Sequence, residues 1–192
     1  MVSNVTRATE IIDRVQALFK RDTPERELVD VNDIAREMIA LLRHTANRNS
    51  ISICTELDAG LPATAADRVQ LQQVLMNLML NGIEAMKDAG GELILTSSRS
   101  EEGHILISVS DSGIGLPAHE AERIYEAFFT TKPQGTGMGL SISRRIIESH
   151  GGRLWASNNT GRGTTFQFSL PVNVTGSSPS AAMPGNFHQK LS

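Results

Sequence analysis

The stretch from Gln73 to Met86 constrains the fold of this chain most strongly, because it combines a buried helix with two asparagines on one face. Leucine, methionine and isoleucine recur there at the spacing of one apolar helix face. Asn77 and Asn81 stack on the same side of that helix, one turn apart. An unpaired buried amide costs roughly 1–3 kcal/mol, so a bonding partner is expected on that face. The alternative is a helix whose solvent-exposed side carries two asparagines.

Composition and charge exclude several classes of protein. The chain has 192 residues, 18 basic and 21 acidic, for a net charge of −3. It therefore lacks the strongly basic surface of a nucleic-acid-binding protein, and no nucleic-acid partner is expected. The single cysteine, Cys54, fits a reducing compartment and is predicted to be a buried structural thiol. Without a signal peptide or an apolar run of about 18–20 residues, the sequence indicates a cytoplasmic protein, and it leaves open a membrane-bound parent.

The two ends of the chain differ from its middle. Thr6 to Arg21 forms one amphipathic stripe, which Asp22-Thr23-Pro24 ends. This stripe predicts that residues 1–27 are half of a helical pair and offer a surface for homodimer formation; the alternative is a helix packed on its own domain. Residues 172–192 contain serine, proline and glycine without periodicity, which predicts a disordered tail.

Between these ends, residues 28–171 have the pattern of one mixed domain. Strands are predicted at Leu28–Val31, Ser50–Leu57, Glu92–Ser100, His104–Ser110, Arg153–Ser157 and Thr164–Leu170. Helices are predicted from Asn32 or Asp33 to about Thr45, from Asp67 to about Gly90, and from Ser141 to His150. The predicted fold class is α+β, a two-layer sandwich in which helices cover one face of a mixed β-sheet.

Two glycine-rich segments contain candidate ligand-binding groups. In the first, Asp111 ends a predicted strand directly before Gly113 and Gly115, where its carboxylate can accept a hydrogen bond from an exocyclic amine such as adenine N6. The second, Gly135 to Leu140, leads into a helix, so backbone N–H groups and the helix N-terminus can face an anion. Each segment alone is also typical of an ordinary turn or connection. Neither matches a Walker loop or a Rossmann fingerprint.

Taken together, the motifs resemble the catalytic ATP-binding domain of sensor histidine kinases, in the GHKL superfamily with its Bergerat ATP-binding fold. Asn77 to Asn81 resembles the N box, Asp111 to Gly115 the first glycine box, and Phe128 to Pro133 the F box. Gly135 to Leu140 resembles the second glycine box, and Gly161 to Phe166 resembles the last motif of the family pattern. The motifs are most similar to those of nitrogen- and oxygen-responsive sensor kinases.

The resemblance implies a role for each motif. Asn81 would bind Mg²⁺, Asn77 would support the triphosphate, and Lys132 would offer a positive charge to it. Asp111 would recognise adenine with Thr164 nearby, while Phe128 and Phe129 would anchor a lid in apolar surface. The candidate catalytic residues are thus Asn77, Asn81 and Lys132. The residues expected to bind ATP are Asn77, Asn81, Asp111, Gly113, Ile114, Gly115, Leu116, Phe129, Thr130, Thr131, Lys132, Gly135, Thr136, Gly137, Met138, Gly139, Leu140 and Thr164.

Position 77 favours a kinase over a hydrolase. In the hydrolytic relatives a glutamate precedes the metal-binding asparagine by one turn as general base, whereas Asn77 cannot take a proton at neutral pH. Glu84, one turn away on the other side, is expected to be an exposed helix charge. A histidine acceptor is already a neutral nucleophile, so positioning, Mg²⁺ and charge neutralisation would carry phosphoryl transfer.

The expected phospho-acceptor is missing from the sequence. None of the five histidines (His44, His104, His119, His150 and His188) has the setting that the family's acceptor requires. The resemblance therefore implies two protein partners: a dimerisation domain that bears the histidine, in a longer parent or in trans, and a response regulator receiver domain. The remaining alternatives are a serine/threonine kinase of the anti-sigma type on the same fold and a nucleotide-binding module without turnover.

Overall fold

A five-stranded β-sheet covered on one face by helices forms the body of the computed structural model. The structure describes residues 25–117, 123–130 and 136–172, and all structural statements concern these residues. The predicted helix at Thr6 to Arg21 lies outside them, as does the predicted tail at 172–192 except for Val172, whose N–H donates to the Gly103 carbonyl at 3.2 Å. Within the described ranges no helix has both the length and the apolar character needed to cross a bilayer.

Seven strands and three α-helices make up the described chain. The strands are β1 (Glu27–Val29), β2 (Ile51–Leu57), β3 (Thr64–Ala66), β4 (Gly91–Arg99), β5 (His104–Asp111), β6 (Arg153–Asn158) and β7 (Thr164–Pro171). The helices are α1 (Val31–Arg48), α2 (Arg68–Ala85) and α3 (Gly139–Ser149), with a 3-10 turn at Arg123–Tyr125.

The main sheet has the strand order β2-β4-β5-β7-β6. The β2–β4 pair is parallel and the other three pairs are antiparallel, so the sheet is mixed. Strands β1 and β3 form a separate antiparallel pair. The predicted α+β sandwich is therefore confirmed, and β4 and β5 form an antiparallel hairpin.

Alternation along the strands assigns one sheet face to the core. On β5 and β7 every second residue is buried, and Phe168 and Ile105 are fully enclosed. The opposite face is rich in hydroxyl groups, as in the pair Thr96–Ser108, whose oxygens are 2.5 Å apart. Because side chains alternate between faces, helices need to cover only the apolar side of the sheet.

Some predicted boundaries were wrong. The cap of α1 is Asp30, whose carboxylate accepts a hydrogen bond from the Asn32 N–H at 2.8 Å, rather than Asn32 or Asp33. Asn32 is buried and its amide donates to the main-chain oxygen of Asp58. The cap at Asp67 is confirmed, but α2 ends at Ala85 rather than near Gly90. Strand β3 was not predicted.

Cys54 is exposed, so the predicted buried thiol is wrong. The residue lies on β2, at one edge of the sheet, and its register partner is Ile94. Its Sγ is 3.1 Å from a carboxylate oxygen of Glu92, and this hydrogen bond is the main cause of a raised Cys54 pKa.

A group of hydrogen bonds ties the start of the described chain to the ends of two helices. The Glu25 N–H donates to Asp67, which caps α2, and the Arg26 guanidinium donates to the main-chain oxygen of Ser149, the last residue of α3. Buried His150 accepts from the Asp67 N–H at 2.9 Å through Nε2, while Nδ1 lies 2.7 Å from a carbonyl of α3. We call this group the tether.

Candidate functional site

Helix α2 contacts the second glycine segment through Asn77. This side chain is 9% exposed, and its Nδ2 donates to Ser143 Oγ of α3 at 3.0 Å. A Cβ built at Gly139 would lie 2.3 Å from Asn77 Oδ1, so only glycine lets α3 begin this close to the amide. The bonding partner expected for a buried asparagine is therefore supplied by α3.

The same helix contacts the first glycine segment through Gly82. A Cβ at this position would lie 2.6 Å from Leu93 Cδ1, 3.3 Å from Asp111 Cβ and 3.8 Å from Asp111 Oδ2. Gly82 thus leaves room for the Asp111 side chain beneath α2. Within six residues, Asn77 to Gly82, one helix touches segments that lie more than 25 positions apart in the chain.

Asp111 is the buried carboxylate of the site, with 4% of its surface exposed. Its Oδ1 accepts from the N–H groups of Gly113 at 2.9 Å and Thr164 at 3.2 Å. Burial raises the pKa of Asp111, and these two hydrogen bonds oppose that rise. Since both bonds go to Oδ1, the second oxygen is the acceptor available to a ligand among the described contacts.

The turn between β6 and β7 packs on the main chain of Asp111. Asn159 donates to the Asp111 carbonyl at 2.8 Å and to Ser110 Oγ at 3.2 Å. Gly163 has a φ of +97°, and a Cβ there would lie 1.8 Å from the Asp111 oxygen. The position of the carboxylate therefore depends on a turn that begins more than 45 residues later in the chain.

This packing predicts a large difference between two glycines of one turn. We expect Gly163→Ala to lower the free energy of unfolding by about 2–4 kcal/mol, because it adds both a collision and a strained left-handed residue. In the matched control, Gly161→Ala, the new Cβ meets nothing within 4 Å, so a change within about 0.5 kcal/mol is expected. Urea unfolding of both variants measures the difference. Equal stabilities would contradict the described packing.

Asn158, the last residue of β6, holds the end of the first glycine segment. Its Oδ1 accepts from the Leu116 N–H and its Nδ2 donates to the Leu116 carbonyl, both at 2.7 Å. Asn158 and Asn159 were not predicted as site residues. Their bonds to Leu116 and Asp111 join residues more than 40 positions apart, and no local pattern indicates such a contact.

The F-box segment is joined to the second glycine segment through the main chain. The Phe128 N–H donates to the Gly137 carbonyl at 3.0 Å, and a Cβ on Gly137 would lie 2.4 Å from the Phe128 carbonyl carbon. Phe129 packs against the core, with the Arg123 guanidinium 4.5 Å from its ring centre. Phe128 is 76% exposed, so the prediction that it anchors the lid in apolar surface is wrong.

The remaining predicted residues fall into three groups. Asn81 lies one turn after Asn77 on α2 and is half-buried, and Thr164 is buried. In the two glycine segments, Ile114, Thr136 and Met138 are exposed to solvent, and Leu116 and Leu140 pack partly on the core. Thr130 of the F box is exposed. Thr131, Lys132 and Gly135 lie outside the described residues.

The N-terminus of α3 differs from those of the other two helices. Asp30 and Asp67 cap α1 and α2 through side-chain hydrogen bonds, whereas the residue at the cap of α3, Met138, makes no such bond. The first N–H groups of a helix are then left for an external acceptor, and an anion is favoured there. This end of α3 is also where Gly139 meets Asn77.

Comparison with known proteins gives one family. Residues 66–174 match the family model described as histidine kinase-, DNA gyrase B- and HSP90-like ATPase. The sensor protein FixL of Bradyrhizobium diazoefficiens is 40% identical over 167 residues, 86% of this chain and 33% of FixL. The sensor histidine kinase ZraS of Escherichia coli K12 is 35% identical over 179 residues, 93% of this chain and 38% of ZraS. The chain thus spans little more than a third of these curated relatives.

Solved structures of histidine kinases have the same fold. The catalytic domain of histidine kinase ThkA has a TM-score of 0.69 and 38% identity, and the match covers 77% of this chain and 95% of that domain. Full-length ShkA in complex with AMPPNP has a TM-score of 0.70 and 29% identity, covering 83% of this chain and 33% of ShkA. ThkA in complex with the response regulator TrrA has a TM-score of 0.70 and 33% identity, covering 87% of this chain and 48% of that chain.

Proposed function

This chain belongs to the family of histidine kinase-, DNA gyrase B- and HSP90-like ATPases, and on that premise we propose that it binds ATP with Mg²⁺ and transfers the γ-phosphoryl group to a histidine of a dimerisation domain. The observation that carries the proposal is the double contact of α2, which meets the second glycine segment at Asn77 and Asp111 at Gly82. A nucleotide bound across these contacts would place its base at Asp111 and its phosphates at the second glycine segment.

Asp111 would hold the adenine. Its Oδ1 is occupied by the two N–H groups of Gly113 and Thr164, which fixes the carboxylate plane and leaves Oδ2 for the exocyclic amine. A buried acceptor discriminates strongly against a base without that donor, because the acceptor would then lose its partner. The Thr164 side chain lies on the same face of β7 as buried Phe166 and would support the contact.

The second glycine segment would hold the phosphates. The uncapped N-terminus of α3 offers backbone N–H groups to an anion, and the close packing of Gly137 on Phe128 and of Gly139 on Asn77 would hold these groups in place. Lys132 would add a positive charge from the lid.

Mg²⁺ fits the oxygen donors of α2. Among the described residues no group of three or more His, Cys, Asp and Glu side chains could hold a metal. A carboxamide oxygen together with phosphate oxygens and water suits Mg²⁺, which keeps several waters. Asn81 would supply that oxygen, and the bound ion would neutralise charge on the triphosphate. Asn81 is half-buried, one turn from the Asn77–Gly139 contact.

Asn77 favours transfer to a protein over hydrolysis. Its amide cannot act as a general base towards water, and Nδ2 is already engaged by Ser143. Glu84 is exposed near the end of α2, as the sequence analysis expected. A neutral imidazole needs no strong base to attack phosphorus, so holding the triphosphate in place would be the main task of this domain.

The partners follow from this chemistry. We propose that the ATP-binding domain extends to Pro171 and begins at Glu25 rather than at residue 28, because Glu27 lies in β1 and Glu25 and Arg26 bond to Asp67 and Ser149. The chain before residue 25 would contribute the second helix of a dimerisation hairpin. The acceptor histidine would come from that hairpin in a longer parent or from a second protein, and a response regulator would take the phosphoryl group next. Complex formation between ThkA and TrrA supports such a partner. A cytoplasmic location fits all of these partners.

Phosphoryl transfer in trans tests the proposal. The full chain, incubated with labelled ATP and Mg²⁺, is expected to stay unlabelled alone and to label a dimerisation hairpin from a sensor kinase relative at its histidine. A hairpin with that histidine replaced by alanine is the control. Label on one of the five histidines of this chain, or on serine of a partner, would contradict the assignment. ATP binding without any transfer would reduce the domain to a nucleotide-binding module.

A further inference from the structure

The loop from Asp111 to Leu116 is held at both ends by two consecutive asparagines. Asn159 holds the main chain of Asp111, and Asn158 holds the main chain of Leu116. Both asparagines lie where β6 passes into its turn with β7. The length and shape of the loop are therefore set from outside by one short piece of chain.

Asn158 acts on Leu116 in the way that a neighbouring strand would. It accepts from the N–H and donates to the carbonyl of the same residue, each at 2.7 Å. Only a primary amide offers both an acceptor and a donor at this spacing. Aspartate has no donor, serine is too short for both bonds, and glutamine is longer by one methylene.

Gly115 adapts the loop to this contact. Its φ is +78°, and a Cβ there would lie 3.3 Å from Asn158 Oδ1 and 3.6 Å from the Gly163 carbonyl. The loop thus turns at Gly115 directly beneath the amide and continues into Leu116, which packs partly on the core. Without the two bonds from Asn158, the packing of Leu116 would remain as the described contact that holds this end.

The two asparagines differ in what their loss would do. Asn159 bonds to Asp111, Ser110 and Thr165 beneath the turn, so its removal would disturb the fold itself. Asn158 is exposed, and its side-chain bonds reach only Leu116 among the described residues. A substitution of Asn158 is therefore expected to change the position of the loop without lowering the stability of the domain.

We infer that Asn158 is a positioning residue for nucleotide binding: it keeps the loop between Asp111 and Leu116 in its binding shape before the ligand arrives. This inference rests on the proposed function. A loop that is ordered in advance loses less conformational entropy when the ligand binds. The contribution acts on the base side of the site, so it raises affinity equally for ATP and ADP and leaves the rate of transfer from bound ATP unchanged.

The test compares Asn158→Ser with Asn47→Ser, a matched change at an exposed position of α1. Because N158S loses two exposed hydrogen bonds, it is expected to bind ATP and ADP about 5- to 20-fold more weakly, as measured by calorimetry with the full chain. The kcat for phosphoryl transfer to a hairpin supplied in trans is expected to stay unchanged. Amide exchange at Leu116 should become faster by about the same factor in the ligand-free protein, because its N–H loses its acceptor. N47S should match the wild type in each measurement.

Each outcome has a separate meaning. Wild-type affinity in N158S, or a loss of affinity for ATP but not for ADP, would overturn the inference while leaving the proposed function in place. Unchanged exchange at Leu116 would also overturn it. A wild-type chain that binds neither nucleotide would refute the proposed function, and the inference with it. Asn158→Gln, which keeps both functional groups, should recover part of the affinity, and failure to do so would show that the pairing of the amide is not what matters.

Discussion

Asn81→Ala is expected to remove the Mg²⁺ dependence of ATP binding and to lower phosphoryl transfer by about 100-fold or more, the usual cost of losing one electrostatic contact to the reacting groups. The proposed role of this side chain is to bring one carboxamide oxygen to the ion. Alanine keeps the helix, and it is a better helix former than asparagine. The thermal midpoint of the variant should therefore stay close to that of the wild type.

Asn47→Ala is the matched control for this experiment, since Asn47 is exposed on α1 and lies in a helix as Asn81 does. Titration of ATP with and without Mg²⁺ gives the result for both variants. If N81A bound ATP as tightly as the wild type in the presence of Mg²⁺, the assignment of Asn81 as metal ligand would be wrong. A large loss in N47A would point to a general effect on folding.

Asp111→Asn is expected to weaken ATP binding by about 100-fold or more while leaving the fold intact. The new Oδ1 can still accept from Gly113 and Thr164, as the aspartate does at 2.9 and 3.2 Å. The amide nitrogen then replaces Oδ2 and presents two donors to the exocyclic amine of adenine, itself a donor. Asp88→Asn, at an exposed position after α2, is the control.

The same substitution should raise stability, and its effect should depend on pH. Burial raises the pKa of Asp111 above its ordinary value of 3.8, so the folded state binds this proton more tightly than the unfolded chain. Wild-type stability from this group is present below pH 3.8 and is lost as pH rises through the folded pKa. The advantage of D111N over the wild type should therefore grow between acid and neutral pH. Urea unfolding across that range measures it, and a constant difference would contradict a buried, ionised carboxylate.

Local sequence predicted the features that depend on neighbours in the chain. Asp67 was recognised as a helix cap because it precedes an apolar repeat, and the positions of Asn77 and Asn81 on one helix follow from a spacing of four. These features could be predicted because each depends on residues that are close together in the sequence. Gly137 and Gly139 were predicted to line the phosphates, which stays a prediction, and their contacts with Phe128 and Asn77 were not foreseen from the sequence.

Features set by distant contacts could not be predicted in this way. Cys54 belongs to an alternating strand, but whether that strand lies at the centre or at the edge of the sheet depends on its pairing with β4. Strand β3 has three residues and exists through its pairing with β1. Asn158 holds Leu116 across 42 positions. Such contacts have no period and no fixed spacing, so a single sequence does not reveal them.

The tether lies at the end of α3, and the second glycine segment lies at its start. Helices α2 and α3 run antiparallel, since Asn77 of α2 meets the start of α3 while His150 at the end of α3 meets Asp67 at the start of α2. Glu25 and Arg26 are thus bound where α2 begins and where α3 ends, and Asn77 meets Gly139 about 15 Å further along both helices. The bonds of the tether and the contacts of the second glycine segment share no residue, so a substitution in either one removes no contact of the other.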